Sequence, residues 1–168
     1  MSEDARPKRP WKRWALEIGV VLAIFFAFRA WQTWDAPSGP APALRGHLLD
    51  GAPYALAAEG APVLVHFWAT WCGVCQAEED NIVAVARDHR VITVATRSGQ
   101  TAQVAGYMRE RGLDFSVLED PTGAIARGWG VRAFPTSFVL DGEGNIRHVE
   151  VGYTSTLGLR ARLWLAGF

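Results

Sequence analysis

The apolar positions of this chain change period several times, and each change predicts an element. "PVLVHFWA" (62–69) is almost unbroken apolar sequence rich in β-branched residues, the pattern of a central strand covered on both faces. Residues 73–88 then place Ala77, Ile82, Val85 and Ala86 among charges, which predicts an amphipathic helix directly behind that strand. "VITVAT" (91–96) reads as a second buried strand, and 101–111 as a second helix closed by Gly112. "FSVLE" leads into a turn at Asp120-Pro121 and a brief helix around Ala124–Arg127. "TSFVLDGEGNIRHVEV" predicts a strand, a glycine-rich turn and a returning strand, and 154–166 a closing helix. Upstream, "LRGHLLDGAPYAL" (44–56) sets an Asp50-Gly51 turn between two short apolar segments, a hairpin signal. Strands alternating with helices and ending in a hairpin predict an α/β domain with a mixed central sheet flanked by helices on both faces.

The front of the chain follows a different pattern. "WALEIGVVLAIFFAFRAWQTW" (14–34) contains an uncharged run from Ile18 to Phe28, shorter than the roughly 20 residues of a spanning helix. The full segment restores the length, with Glu17 and Arg29 near its ends, where long side chains reach the headgroups. Trp11 and Trp14 before the run, and Trp31 and Trp34 after it, match the aromatic belts of a membrane anchor. A cleaved signal peptide is the competing reading, but the nearest small-x-small site, Ala41-Pro42-Ala43, lies well beyond the apolar run. Residues 1–34 hold six Lys/Arg against three Asp/Glu, and five of the basic residues precede the run. That flank predicts a cytoplasmic tail (1–13), an anchor (14–34) and a remainder carried across the membrane. "DAPSGPAPA" (35–43) reads as a semi-extended linker rather than part of a core, leaving 44–168 as one domain.

Composition adds limits. With 168 residues, 49% hydrophobic, the chain suits one globular domain plus an appendage. Formal net charge is zero, so no basic excess points to nucleic acid.

The candidate chemistry is "WCGVC" (71–75), which holds both cysteines of the chain. A c-type haem site needs histidine after the second cysteine, and position 76 is Gln. A structural zinc site needs four ligands, and His47, His66, His89 and His148 are scattered. A purely structural disulfide across two residues restrains little unfolded-chain entropy. A redox pair fits the placement: Cys72 falls at a helix N-terminus, where free N–H groups and the dipole favour a thiolate. Cys75, one turn further in, is positioned to resolve a mixed disulfide formed by Cys72.

"VLVHFWATWCGVCQAE", followed some 60 residues later by "VRAFPTSFVLDGEGNI", resembles the thioredoxin superfamily. More closely the chain is similar to its membrane-anchored TlpA/ResA-type branch, near the copper-sensitivity-suppressor D group of Gram-negative bacteria. The resemblance covers roughly residues 43–168. It implies a thioredoxin fold with an N-terminal hairpin extension and one transmembrane helix. It implies thiol–disulfide exchange with protein cysteines, no cofactor, and a catalytic domain on the periplasmic side of the cytoplasmic membrane. A single pair must be reset after each turnover, so a membrane electron donor or acceptor is expected as partner, beside the lipid bilayer itself. The resemblance also implies a cis Phe134-Pro135 bond facing the disulfide, followed by Thr136, where cytochrome-maturation members often carry an acid. Val74 stands where the family commonly has proline, and Asp80 replaces the proline of "E-x-P" while Glu78 matches.

Further residues are weighed beside the cysteines. His66 is either a buried neutral histidine or a proton acceptor for Cys75. Glu78 is either a solvated helix residue or, by the resemblance, a group that tunes the thiols. Trp71 is expected at the surface beside Cys72. Trp129 and Phe134 are expected to pack, with a peptide groove as the alternative, and the other three histidines to lie at the surface. The competing function is copper binding or delivery on the same fold, since two thiolates suit Cu(I).

Overall fold

The structure, a computed structural model, describes residues 11–34 and 38–168, without the side chains at 12, 13 and 25–34. The chain divides into two compact units, 1–35 and 36–168. In the first, Trp11–Trp34 forms one helix, α1, whose described side chains are exposed. Among the described residues no helix is long and apolar enough to cross a membrane. The expected basic tail falls largely outside the described residues. So do the side chains of the anchor's second half and the head of the linker.

The second unit runs β1 (Gly39–Pro40), β2 (Arg45–His47), β3 (Pro53–Ala55), β4 (Val63–Trp68), α2 (Gly73–Ala86), β5 (Arg90–Thr96), α3 (Thr101–Arg111), β6 (Val117–Asp120), α4 (Ala124–Gly128), β7 (Thr136–Leu140), β8 (Asn145–Val151) and α5 (Thr156–Leu165). Six strands make one mixed sheet in the order β1-β8-β7-β4-β5-β6. β4 is parallel to β5 and antiparallel to β7, so the strand before the cysteines has hydrogen-bonded partners on both edges. Its side chains alternate between two cores. Leu64 and Trp68 pack with Ile82 and Val85 of α2, Val104 and Met108 of α3, and Leu159 and Leu163 of α5. Val63, Val65 and Phe67 pack on the opposite face with Ala126 and Trp129. All six residues of β4 are buried, which is why its sequence is nearly continuous apolar rather than alternating.

The remaining elements follow from local chemistry. Gly112 ends α3 in the left-handed conformation (φ 64°), where its N–H meets the last-turn carbonyls. Asp120 is buried and accepts from the backbone N–H groups of Ile125 and Ala126, holding the start of α4. The hairpin β2–β3 has the turn expected at Asp50-Gly51 and packs beside β6 through Leu48 and Leu118. Phe67, Trp129 and Phe138 form an aromatic cluster with centroids 5.1–5.7 Å apart, in which Phe138 meets both other rings edge-on.

Three expectations are corrected. The linker is not wholly outside the fold: Gly39 and Pro40 pair with Ile146 and Asn145 as an edge strand, and Ala41 packs on the core. A proline is tolerated there because an edge strand need not donate outward. Ala77 is exposed, while the neighbouring Glu78 and Glu79 are buried, because α2 turns its carboxylates toward partners on other elements. His89 and His148 are half-buried rather than at the surface, whereas His47 is exposed.

Phe138 touches both other rings of the aromatic cluster, so Phe138→Ala should destabilise the domain by about 3–5 kcal/mol. Urea unfolding followed by circular dichroism measures it; a loss below about 1 kcal/mol would show that the cluster is not structural.

Candidate active site

β4 leaves the core at Ala69, and α2 begins at Gly73, so the connection is short and its geometry is set by hydrogen bonds. Cys72 N–H donates to Ala69 O at 3.1 Å, and Cys72 caps α2 with extended backbone angles. Its Sγ accepts from the Cys75 N–H at 3.2 Å, so the sulfur sits among the free N–H groups at the helix start. The two cysteines form a disulfide with Cα atoms 5.2 Å apart. Cys72 is the more accessible at 8%, against 2% for Cys75, so the expected nucleophile is far less exposed in this oxidised form than its role suggests. A helix N-terminus lowers a thiol pKa by favouring the thiolate over the thiol.

Next to Cys72 in the chain, Trp71 begins a series of aromatic and backbone contacts. Trp71 is 63% exposed, and its indole Nε1–H donates to Arg97 O at 3.0 Å. Its ring meets that of half-buried Phe134 edge-on, with centroids 5.9 Å apart. Phe134-Pro135 is cis, as the resemblance implied. Pro135 O accepts from Gly152 N–H at 2.8 Å, and buried Thr136 donates its hydroxyl to Ala133 O while pairing in register with Phe67. On the far side of Trp71 an open cleft of about 480 Å³ is lined by Thr70, Ser98, Gln103, Tyr107 and Glu110 among others.

Two ionisable groups lie on the disulfide's side of the sheet or helix without a counter-charge. Glu78, one turn beyond Cys75, is fully buried. One carboxyl oxygen accepts from Thr154 N–H at 3.2 Å, and the other has no partner. Burial pushes its pKa up from 4.5 to about 7, against a smaller downward pull from the Thr154 N–H. The solvated-helix reading of Glu78 is therefore wrong. His66 is buried too, and its Nδ1 lies 2.9 Å from Ser137 Oγ. Burial lowers its pKa from 6.5 to about 3, which keeps the imidazole neutral and argues against its taking the thiol proton. Alternation along β4 turns it toward the core that contains the cysteines.

Several supporting groups escaped the sequence reading. Arg97 is a non-glycine residue at φ 48°, and that conformation presents its carbonyl to Trp71. Ser98 accepts from Thr70 N–H at 3.1 Å, and Gln76 donates to Thr70 O at 2.9 Å. Glu79 receives the Tyr107 hydroxyl and Arg111 Nε, which ties α2 to α3. None of these had a local signal, because each partner lies on another element. Trp129 packs as expected, 1% exposed. Among the described residues no cluster of three or more His, Cys, Asp or Glu side chains is placed to hold a metal ion.

Comparison with known proteins follows the same lines. The Redoxin family pattern matches residues 36–160. A thioredoxin-like protein of Haemophilus influenzae is 37% identical over 111 residues, covering 66% of this chain and 66% of the relative. A thiol:disulfide interchange protein DsbE homolog of Paracoccus denitrificans is 38% identical over 90 residues, covering 53% of this chain and 50% of the relative. The chain thus spans between about half and two thirds of the length of these relatives. A crystal structure of a thiol:disulfide interchange protein of the thioredoxin family from Chlorobium tepidum superposes with a TM-score of 0.68 at 30% identity, covering 80% of this chain and 99% of that one.

The two buried groups give stability opposite pH dependences. Folding raises the Glu78 pKa, so the native state binds a proton that the unfolded chain releases between pH 4.5 and 7, and stability falls as pH rises through that window. Folding lowers the His66 pKa, so the unfolded chain binds the extra proton below pH 6.5, and stability falls as pH drops from 6.5 toward 3. Glu78→Gln should remove the first effect alone. Its stability relative to the parent should rise by about 3 kcal/mol between pH 4.5 and 8 in urea titrations. A constant difference would mean that Glu78 ionises as freely as a surface carboxyl.

Proposed function

The chain belongs to the Redoxin family, and we propose that it is an extracytoplasmic thiol–disulfide oxidoreductase that reduces protein disulfides through Cys72 and Cys75. The observation that carries this reading is the disulfide at the start of α2, with Cys72 the more accessible sulfur and a buried carboxyl one turn beyond Cys75. In the reducing direction the Cys72 thiolate attacks one sulfur of a client disulfide, and the other client sulfur leaves as a thiolate. Cys75 loses its proton and attacks Cys72 Sγ, which releases the second client thiol and forms the Cys72–Cys75 disulfide. Two electrons pass to the client, and the chain is left oxidised. A membrane thiol donor must then reduce it.

Glu78 is the group best suited to the Cys75 proton. Its pKa of about 7 leaves comparable amounts of acid and base near neutral pH, the condition for passing a proton both ways. His66, held neutral by burial, positions β7 through Ser137 instead. Trp71, Phe134 and Pro135 supply the wall against which a client segment lies, with Thr136 anchoring the start of β7 behind it.

Residues 14–34 serve in this reading as a single-pass anchor in the cytoplasmic membrane, with the basic tail inside and the domain in the periplasm. The support is the sequence: an apolar run flanked by tryptophans, with basic residues on one side.

Cys75→Ser should accumulate mixed disulfides with client proteins, visible as reductant-sensitive bands, and Cys72→Ser should accumulate none. Equal trapping by both variants would remove the assignment of nucleophile and resolver. Deleting residues 1–34 and directing the remainder to the same compartment should move the protein from the membrane fraction to the soluble one. If the truncated chain still sediments with membranes, the anchor lies elsewhere.

A further inference from the structure

Glu78 does not owe its dryness to α2 alone. The connector between β8 and α5, residues 152–155, reaches the carboxyl and donates Thr154 N–H to it. That connector is pinned at both ends. Gly152, at φ 87°, donates its N–H to Pro135 O at 2.8 Å, and Ser155 caps α5 by accepting from Gly158 N–H at 3.2 Å. Between these pins one side chain holds the connector down onto α2. Asn81 lies three residues after Glu78, on the next turn of the same helix. Its Nδ2 donates to Thr154 O at 3.2 Å and to the Tyr153 hydroxyl at 3.0 Å, and its Oδ1 accepts from the Thr156 hydroxyl at 2.8 Å. The amide's orientation is fixed by chemistry, since a carbonyl only accepts and the amino group must therefore face Thr154.

We propose that Asn81 is a positioning residue for the thiol chemistry: its carboxamide latches the 152–156 segment over Glu78, and this latch keeps the carboxyl out of water. The inference rests on the reading that Glu78 handles the Cys75 proton. Between the two pins, the side-chain contacts to residues 153 and 154 come from Asn81 and Glu78. Tyr153 is 53% exposed, and the contact from Thr154 to Glu78 is a single hydrogen bond. The charged groups nearest along α2 and on α5 are engaged elsewhere. Glu79 is turned to Tyr107 and Arg111, Arg160 of α5 is paired with Asp88, and His66 on the sheet is neutral. What acts on Glu78 is burial and the Thr154 N–H, and both depend on where the connector lies.

Carboxyl-carbon NMR titration of Glu78 in the oxidised protein tests the proposal directly. Asn81→Ala should open the connector to water and bring the Glu78 midpoint down by about 1–2 pH units toward the ordinary carboxyl range. Thr156→Val, which removes one arm of the latch, should lower it by less, and Thr156→Ser, which keeps the hydroxyl, should restore the parent midpoint. The Thr156 pair carries the test should Asn81→Ala fold poorly. A Glu78 midpoint that stays at the parent value in a folded Asn81→Ala or in Thr156→Val overturns the latch. The titration reads the latch whether or not the carboxyl serves the thiols; that separate question is read from the thiol-exchange rate of Glu78→Gln against the parent.

Discussion

β4 is buried on both faces to its last residue, and the redox site is a consequence of where that strand stops. A strand with neighbours on both edges and cores on both faces cannot tolerate a polar group within its length unless the group is paired, as His66 is with Ser137. All the reactive chemistry is therefore displaced to its end. There the chain must turn at once into α2, whose free N–H groups need acceptors, and Cys72 Sγ is one. The same packing fixes the helix start against the sheet, so the disulfide is held by the core rather than by a long loop.

Two adjacent glutamates show how differently a buried carboxyl can be accommodated. Glu79 meets a guanidinium and a phenol from α3, so its charge has partners and the contact joins two helices. Glu78 meets one backbone N–H and leaves an oxygen bare. A buried, half-satisfied acid is costly, and proteins keep such groups chiefly where a shifted pKa is useful. The contrast between neighbours on one helix makes the partners each carboxyl meets, rather than mere burial, the distinguishing fact.

The architecture was legible from local pattern because each main element has its own period: the continuous run of β4, the amphipathic α2, and the glycine turn between β7 and β8. The cysteine pair was legible because its spacing and its place after a buried strand are both local. What could not be read was pairing across the chain. Gly39-Pro40 looks like linker because proline and glycine say nothing about an edge strand they happen to complete. Glu78 and Ala77 exchanged expected environments because the partners that bury a carboxyl lie far away in sequence. Arg97, with no unusual neighbours in sequence, adopts a left-handed backbone conformation and supports Trp71 through its carbonyl.

The latch joins parts of the chain that are synthesised at different times. Glu78 and Thr154 are 76 residues apart, and Pro135 also lies well downstream of the cysteines. A chain emerging N-terminus first, at about 5–20 residues per second, presents the thiols on the order of 4–15 seconds before the connector exists. Throughout that interval Cys72 and Cys75 are an ordinary pair of nascent-chain cysteines, exposed to any oxidant they encounter and lacking the buried acid's environment. The buried surroundings of Glu78 are thus completed late, when the last hairpin and closing helix arrive.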